Sequence, residues 1–359
     1  MIPFTSYFRK PKTATSPTTS KPATPSKTSS QSNGSITSEY KSQYPPHQSE
    51  DIVTEAKFPK LGYEYIDGRH FKHQPGIPRI IPCDDEETER QQVIHLLHKY
   101  LFGTYLNAPV DETLKQGGRV LEICCGPAYW TKEVAKLYPR SEFFAIDDIL
   151  YPITNPPLNC HFRITDYTND LPFEDDSFDL VVQHEARFKH TKSTWEKVVR
   201  EAIRITKPGG YIEFIESGPE INDIGPNLSL WLMRVSVSMQ TRQMINKVGL
   251  ELEELFAGTN LVTIHESIHR SAPIGWLGRV GDLTLDCLQR FSDALKPRLC
   301  EDWSISAAKY DAHFKSVLPE CQEFKSWTNF YCVVARKNDG STLPITTNDG
   351  SDTDDSSHT

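Results

Sequence analysis

From Arg119 onward, short apolar runs alternate with amphipathic stretches. The runs RVLEIC, EFFAID, HFRI, FDLVVQ and YIEFIE read as strands, with helices over about Tyr129 to Tyr138 and Thr194 to Thr206. That alternation predicts an α/β fold, a mostly parallel sheet with helices on both faces. Upstream, DDEETERQQVIHLLHKYLFGTYL opens on acids and then spaces Val93, Leu96, Leu97, Tyr100 and Leu101 as one helical face. After Glu216 the pattern turns helical, over roughly Asn227 to Phe256, Asp282 to Leu295 and Ser304 to Val317. LVTIHESIHR and NFYCVVARK complete one edge of the sheet, which makes seven strands.

The two ends of the chain follow a different rule. Residues 1–50 are dominated by Ser, Thr, Pro and Lys, and residues 338–359 form an acidic Ser/Thr tail. Neither buries enough apolar surface to offset the entropy of ordering it, so both are expected to be disordered. A domain over 51–337 remains, with a cofactor half at about 85–217 and substrate-side helices and last strands at about 218–337. Within the first tail, MIPFTSYFRKPK resembles a degenerate sliding-clamp-binding peptide. A mitochondrial presequence is a second reading, opposed by Pro3 and Pro11.

Charge and cysteine usage narrow the function. A net charge of -9 over 359 residues disfavours sequence-independent nucleic-acid binding. The 8 cysteines include no C-x-x-C pair, which argues against a zinc knuckle or a disulfide framework, implies no bound metal and points to a reducing compartment, cytoplasm or nucleus. With no apolar run of about 18 residues and no secretory signal, neither membrane spanning nor export is expected.

Candidate chemistry sits at the strand ends. In LEICCGPAYWT a strand carries the carboxylate Glu122, the chain turns through Cys124, Cys125, Gly126, Pro127 and Ala128, and a helix starts near Tyr129. Gly126 admits a ligand close to the backbone, and the helix start offers free N–H groups. A dinucleotide site prefers three glycines to seat a pyrophosphate, and two of those positions are Cys124 and Ala128. S-adenosylmethionine has no phosphate but carries an ammonium and a sulfonium, which suits a carboxylate beside the turn.

Asp147 closes EFFAID about 25 positions after Glu122, near the spacing at which an acid accepts ribose hydroxyls, and Asp148 competes for the role. Asp147→Ala is expected to weaken cofactor binding about tenfold, about 1.4 kcal/mol, and to leave the fold intact. Asp166 and Tyr167 follow HFRI, where an acceptor and a ring suit an adenine. Gln183 and His184 end FDLVVQH; His184 and His190 read more readily as packed histidines than as bases, and no catalytic residue is assigned. Pro208, Gly209 and Gly210 turn the chain from helix into strand.

Taken in order, these elements resemble class I S-adenosylmethionine-dependent methyltransferases, with a seven-stranded Rossmann-like sheet. More narrowly, YEYIDGRHFKHQPGIPRIIPCDDEETERQQVIHLLHKY, IDDILYPITNPPLNCHFRI and WEKVVREAIRITKPGGYIEFIE resemble the fungal LaeA-like methyltransferases over roughly residues 60–220. The resemblance implies that Glu122, Gly126 and Ala128 line the methionine end, Asp147 holds the ribose, Asp166 with Tyr167 frames the adenine, Gln183 lies near the sulfonium, and Arg69 helps close the pocket. It equally allows a regulatory protein that acts mainly through partner binding.

The acceptor is left open between a small molecule and a protein. The strand-end block QHEA lacks the motif of adenine-amino enzymes and the cysteine of cytosine-carbon enzymes, and Asn155-Pro156-Pro157 reads as a rigid turn. Methyl transfer is a displacement that needs alignment above all. Trp231, Met233, Met239, Phe256 and Trp276 are candidates to roof an apolar acceptor pocket.

Overall fold

The computed structural model describes residues 62–73 and 79–340. The N-terminal tail with its clamp-like segment, and the acidic tail beyond Gly340, lie outside the described residues.

A seven-stranded sheet organises the chain in the order β5-β4-β3-β6-β7-β9-β8. β3 (Arg119–Ile123), β4 (Glu142–Asp147), β5 (Cys160–Ile164), β6 (Phe178–His184) and β7 (Thr206–Asn222) run parallel. β9 (Trp327–Lys337) is inserted antiparallel between β7 and β8 (Val262–Pro273). The expected fold class, a mostly parallel Rossmann-like sheet of the class I methyltransferase type, is the one observed. From β3 the chain builds outward through β4 to β5, then returns and builds the other way through β6 and β7. That reversal is a topological switch point, and it opens a crevice at the carboxyl ends of β3, β4 and β6.

The alternation along each strand decides which face every side chain covers. Leu121, Phe178, Val181 and Ile212 pack on one face with Trp195, Val198, Leu252 and Phe256 of α4 (Lys192–Ile205) and α6 (Val248–Ala257). Val120, Leu180, Val182 and Ile215 point to the other, against Trp130 and Val134 of α3 (Tyr129–Leu137) and Leu114 of α2 (Asp111–Gln116). A further core lies among α5 (Pro226–Thr241), α7 (Arg279–Asp302) and α8 (Ala307–Glu323), built on Trp231, Met239, Leu295 and Phe314. Among the described residues no helix is long and apolar enough to cross a membrane.

The hairpin of β1 (Tyr63–Ile66) and β2 (Arg69–Lys72) has no counterpart in the sequence expectations. Its two-residue turn, Asp67-Gly68, takes positive φ at both positions (46° and 85°), which matches strand twist in a tight hairpin and explains the Asp-Gly pair. Arg69 grips the carboxylate of Asp84 through two hydrogen bonds of 2.7 Å, and Asp84 caps α1 (Asp85–Phe102) by accepting the Glu87 N–H. The hairpin is thereby tied to the helix that covers the crevice.

Candidate functional site

The turn after β3 is wound by three left-handed residues, Cys124 (φ 57°), Gly126 (φ 54°) and Ala128 (φ 55°). Non-glycine residues pay about 1–2 kcal/mol in that region. Cys124 and Ala128 therefore hold a backbone path that glycine would favour.

Two carboxylates brace this turn from strand tips. Glu122 accepts hydrogen bonds from the backbone N–H (3.2 Å) and the hydroxyl of Thr131 in the first turn of α3. Asp147 accepts from the N–H of Gly126 (2.9 Å) and of Ile149 (3.0 Å), and pairs with the Lys189 ammonium at 3.0 Å. Lys189 also donates to the Cys124 carbonyl at 3.4 Å. Burial opposes the lysine's charge, but the Asp147 carboxylate outweighs it and holds the ammonium well above its ordinary range. The Gln91 side chain of α1 lies against Gly126, its Oε1 filling the place where a Cβ would stand.

Asp148 faces a second cationic group, the Lys72 ammonium at 2.9 Å and the Arg79 guanidinium. Burial favours its neutral form, and these two charges outweigh burial and hold it below the usual carboxylate range. The Tyr167 hydroxyl donates to its other oxygen at 3.2 Å.

Burial pushes the Glu122 carboxyl up to about 7 despite the two Thr131 bonds. The folded chain then keeps a proton that the unfolded chain releases near its ordinary value of 4.5. The contribution of this group is largest below that value and is lost as pH rises towards about 7. Glu122→Gln, which stays neutral, is expected to remove that decline, as read by denaturant unfolding at about pH 5 and about pH 8.

Of the residues singled out from sequence, Glu122, Cys124, Gly126, Ala128 and Asp147 meet at this turn, with Asp148 and Tyr167 at its edge. Cys125 donates its N–H to Ile146 and borders the same cavity. Gln183 is fully buried, its Oε1 3.0 Å from the His190 ring and its Nε2 unpartnered. Asp166 does not join them: it is exposed, and its carboxylate accepts from the Thr168 N–H and hydroxyl and from Asn169 within its own loop. That local turn supplies its hydrogen-bond donors. Arg69 holds the hairpin to α1, and the side chains that reach the crevice from that segment are Lys72 and Arg79. Burial holds His190 down at about 3 and His184 well below its ordinary value, so both are packed neutral rings.

Two cavities flank α1. One of about 60 Å³ lies between α1 and the turn, bordered by Gln91, Glu122, Cys124, Tyr129 and Lys189. The other, of about 120 Å³, is mostly apolar and runs toward α5 and α7, where Trp231, Leu288 and Phe291 line it. Arg90, Ile94, Glu185 and Lys189 border both. Of the expected roof only Trp231 belongs to this wall. Met233 is exposed on the outer side of α5, Met239 packs inside the helical core, and Phe256 lies with α6 on the sheet. Trp276 donates to the Ser326 carbonyl.

Glu185 was missed in the sequence. It follows β6 with φ 54°, accepts from Ser217 at 2.9 Å, and lies 3.0 Å from the His98 ring of α1. A left-handed glutamate at a strand end in a crevice is the kind of strained position that marks function. Nothing in QHEARFKH betrays its φ, but the run of charged residues after a buried strand was a usable signal.

Residues 120–210 match the family described as a methyltransferase domain. The chain is similar to the secondary metabolism regulator laeA of Coprinopsis cinerea, 28% identical over 183 residues, which cover 50% of this chain and 44% of that protein. It is also similar to the protein-methionine methyltransferase laeA of Emericella nidulans, 30% identical over 145 residues, 38% of this chain and 36% of that one. The match thus spans less than half the length of these relatives. Among solved structures, a Haemonchus contortus phosphoethanolamine N-methyltransferase 2 bound to S-adenosylhomocysteine aligns over 74% of this chain and 62% of its own, at 16% identity and a TM-score of 0.42.

Proposed function

We propose that the chain is an S-adenosylmethionine-dependent methyltransferase acting on a small-molecule or protein acceptor. The carrying observation is the turn at 124–128, braced by Glu122 and Asp147 at the switch point, with a separate apolar cavity on the far side of Glu185 and Lys189. The residues fit the cofactor: the carboxylates of Glu122 and Asp147 at the strand tips suit its positive charges and ribose hydroxyls. The space beside Gly126 is taken by the end of Gln91, a flexible side chain whose rotation clears it, while the Lys189 ammonium occupies Asp147. Glu122, Gly126, Ala128 and Asp147 would hold the methionine and ribose ends, with Gln183 and Tyr167 behind them. Bound there, the cofactor supplies a sulfonium-activated methyl group. The chain's residues would orient the acceptor and exclude water from the junction between the cavities.

Two observations favour a second reading. The cleft beside the turn holds about 60 Å³ while small-molecule sites are commonly about 300–1,000 Å³, and the chain's own cation already neutralises Asp147. On that reading the domain works mainly by binding partners, as a regulator with a methyltransferase fold. Incubation with methyl-tritiated S-adenosylmethionine and a fungal extract separates the two. Label transferred to a metabolite or a protein supports the enzyme, and none transferred, with the protein folded, supports the regulator.

A further inference from the structure

Two of the three cations that line the apolar cavity are held by carboxylates. Glu87 holds Arg90 through hydrogen bonds of 2.7 and 2.8 Å, Asp147 holds Lys189 at 3.0 Å, and Glu185 is met by Ser217 and the His98 ring. Arg187 has no carboxylate within ion-pair distance among the described residues. Its guanidinium donates to the Gly218 carbonyl (2.7 Å) and the Asn246 amide oxygen (3.2 Å), and reaches the Met239 sulfur at 3.9 Å. Its Nε–H is buried without a partner, although the residue is only 8% exposed. The two nearest acids do not serve it: Glu216 takes the backbone N–H of Ala186 and Arg187, and Glu185 is occupied as above.

A buried guanidinium held only by neutral acceptors and by the face of the Phe188 ring, 4.8 Å from its central carbon, is costly. Burial pulls this one down to about 10, a rare direction for arginine, with Glu185 and Glu216 only partly opposing. Arg187 also forms part of the wall of the apolar cavity, beside Ile81, Phe188, Trp231, Leu288, Phe291 and Phe330. The wall thus pairs an apolar lining with one cation that no carboxylate holds at ion-pair distance among the described residues. A ligand that satisfies both has a compact apolar body and one anionic oxygen group able to take guanidinium N–H bonds. The cavity of about 120 Å³ is of the order of the roughly 150 Å³ apolar cavity that admits benzene, which sets the body at about one ring.

We propose that this cavity is a binding site for a small apolar carboxylic acid, its ring or short chain among Trp231, Leu288 and Phe291 and its carboxylate on Arg187. That such an acid is the methyl acceptor rests on the methyltransferase reading; that it binds does not.

Calorimetric titration of the full chain with phenylacetate, 2-phenylethanol and 2-phenylethylamine tests the site, with S-adenosylhomocysteine titrated separately. The acid is expected to bind at least tenfold more tightly than the alcohol, and the amine not to bind. Arg187→Met is expected to abolish that preference while the alcohol's affinity stays the same. Arg187→Lys, which keeps the charge, retains part of it and covers the case in which the methionine variant does not fold. Equal affinities for acid and alcohol in the wild type, or no binding of either, overturn the proposal even where S-adenosylhomocysteine binds. Acid binding without S-adenosylhomocysteine binding leaves the site standing and removes its role as acceptor site.

Discussion

Asp147→Ala is expected to destabilise the domain by about 3–5 kcal/mol, a larger effect than a loss of ligand affinity. In sequence terms Asp147 is a ribose ligand at a strand tip, and its removal is a clean binding mutation. The structure gives it a second task. Its side chain is 3% exposed and its carboxylate is the counter-charge of Lys189, itself 11% exposed. Removing the acid leaves a buried ammonium unpaired and frees the N–H groups of Gly126 and Ile149, which together hold the turn in its left-handed path. Urea unfolding of the variant at neutral pH reads the loss as a lowered midpoint. Asp147→Asn, which keeps one acceptor oxygen, is expected to lose less. A midpoint unchanged in Asp147→Ala would mean that the pair with Lys189 does not form.

Lys189→Met is expected to tighten S-adenosylmethionine binding by about tenfold to a hundredfold, about 1.4–2.7 kcal/mol. In the wild type a cationic cofactor must displace a resident cation from Asp147 and from the Cys124 carbonyl. Without that ammonium, Asp147 is a buried carboxylate in search of a partner, and the cofactor's charge and hydroxyls supply one. The gain is expected to be larger for S-adenosylmethionine than for S-adenosylhomocysteine, which lacks the sulfonium charge. The same substitution in a chain that has no cofactor site would lower stability and change nothing else. Comparative titration of both ligands into both proteins decides the matter.

How far these features were legible depends on how local their causes are. The strands β3 to β7 and the helices α3 and α4 were read from apolar alternation, because burial on two faces writes itself into neighbouring residues. β8 and β9, far apart in sequence, were read the same way, and their place at one edge followed. The hairpin was overlooked although Asp67-Gly68 between two short alternating runs is its standard signal. α2, of six residues, is too short for a helical period to show.

At the candidate site, Glu122 and Gly126 are legible because a strand–turn–helix unit fixes them in sequence, and Asp147 because it ends the next strand. Asp166 stands apart from the turn, and the Thr168-Asn169 pair that its carboxylate accepts from stands in the sequence as an acid-led turn. The pairings that close the crevice escaped notice for another reason. Lys72 and Asp148 are 76 positions apart, Lys189 and Asp147 are 42, and no local pattern announces a contact of that length.

The claim on which the account turns is that the braced turn is a nucleoside site and the two side chains in it can leave. Calorimetric titration of S-adenosylhomocysteine into the wild-type chain tests it most directly. The account predicts saturable binding at one site, with the thermal unfolding temperature rising as ligand is added. Neither heat nor thermal stabilisation at millimolar ligand, in the wild type and in Lys189→Met alike, would contradict it.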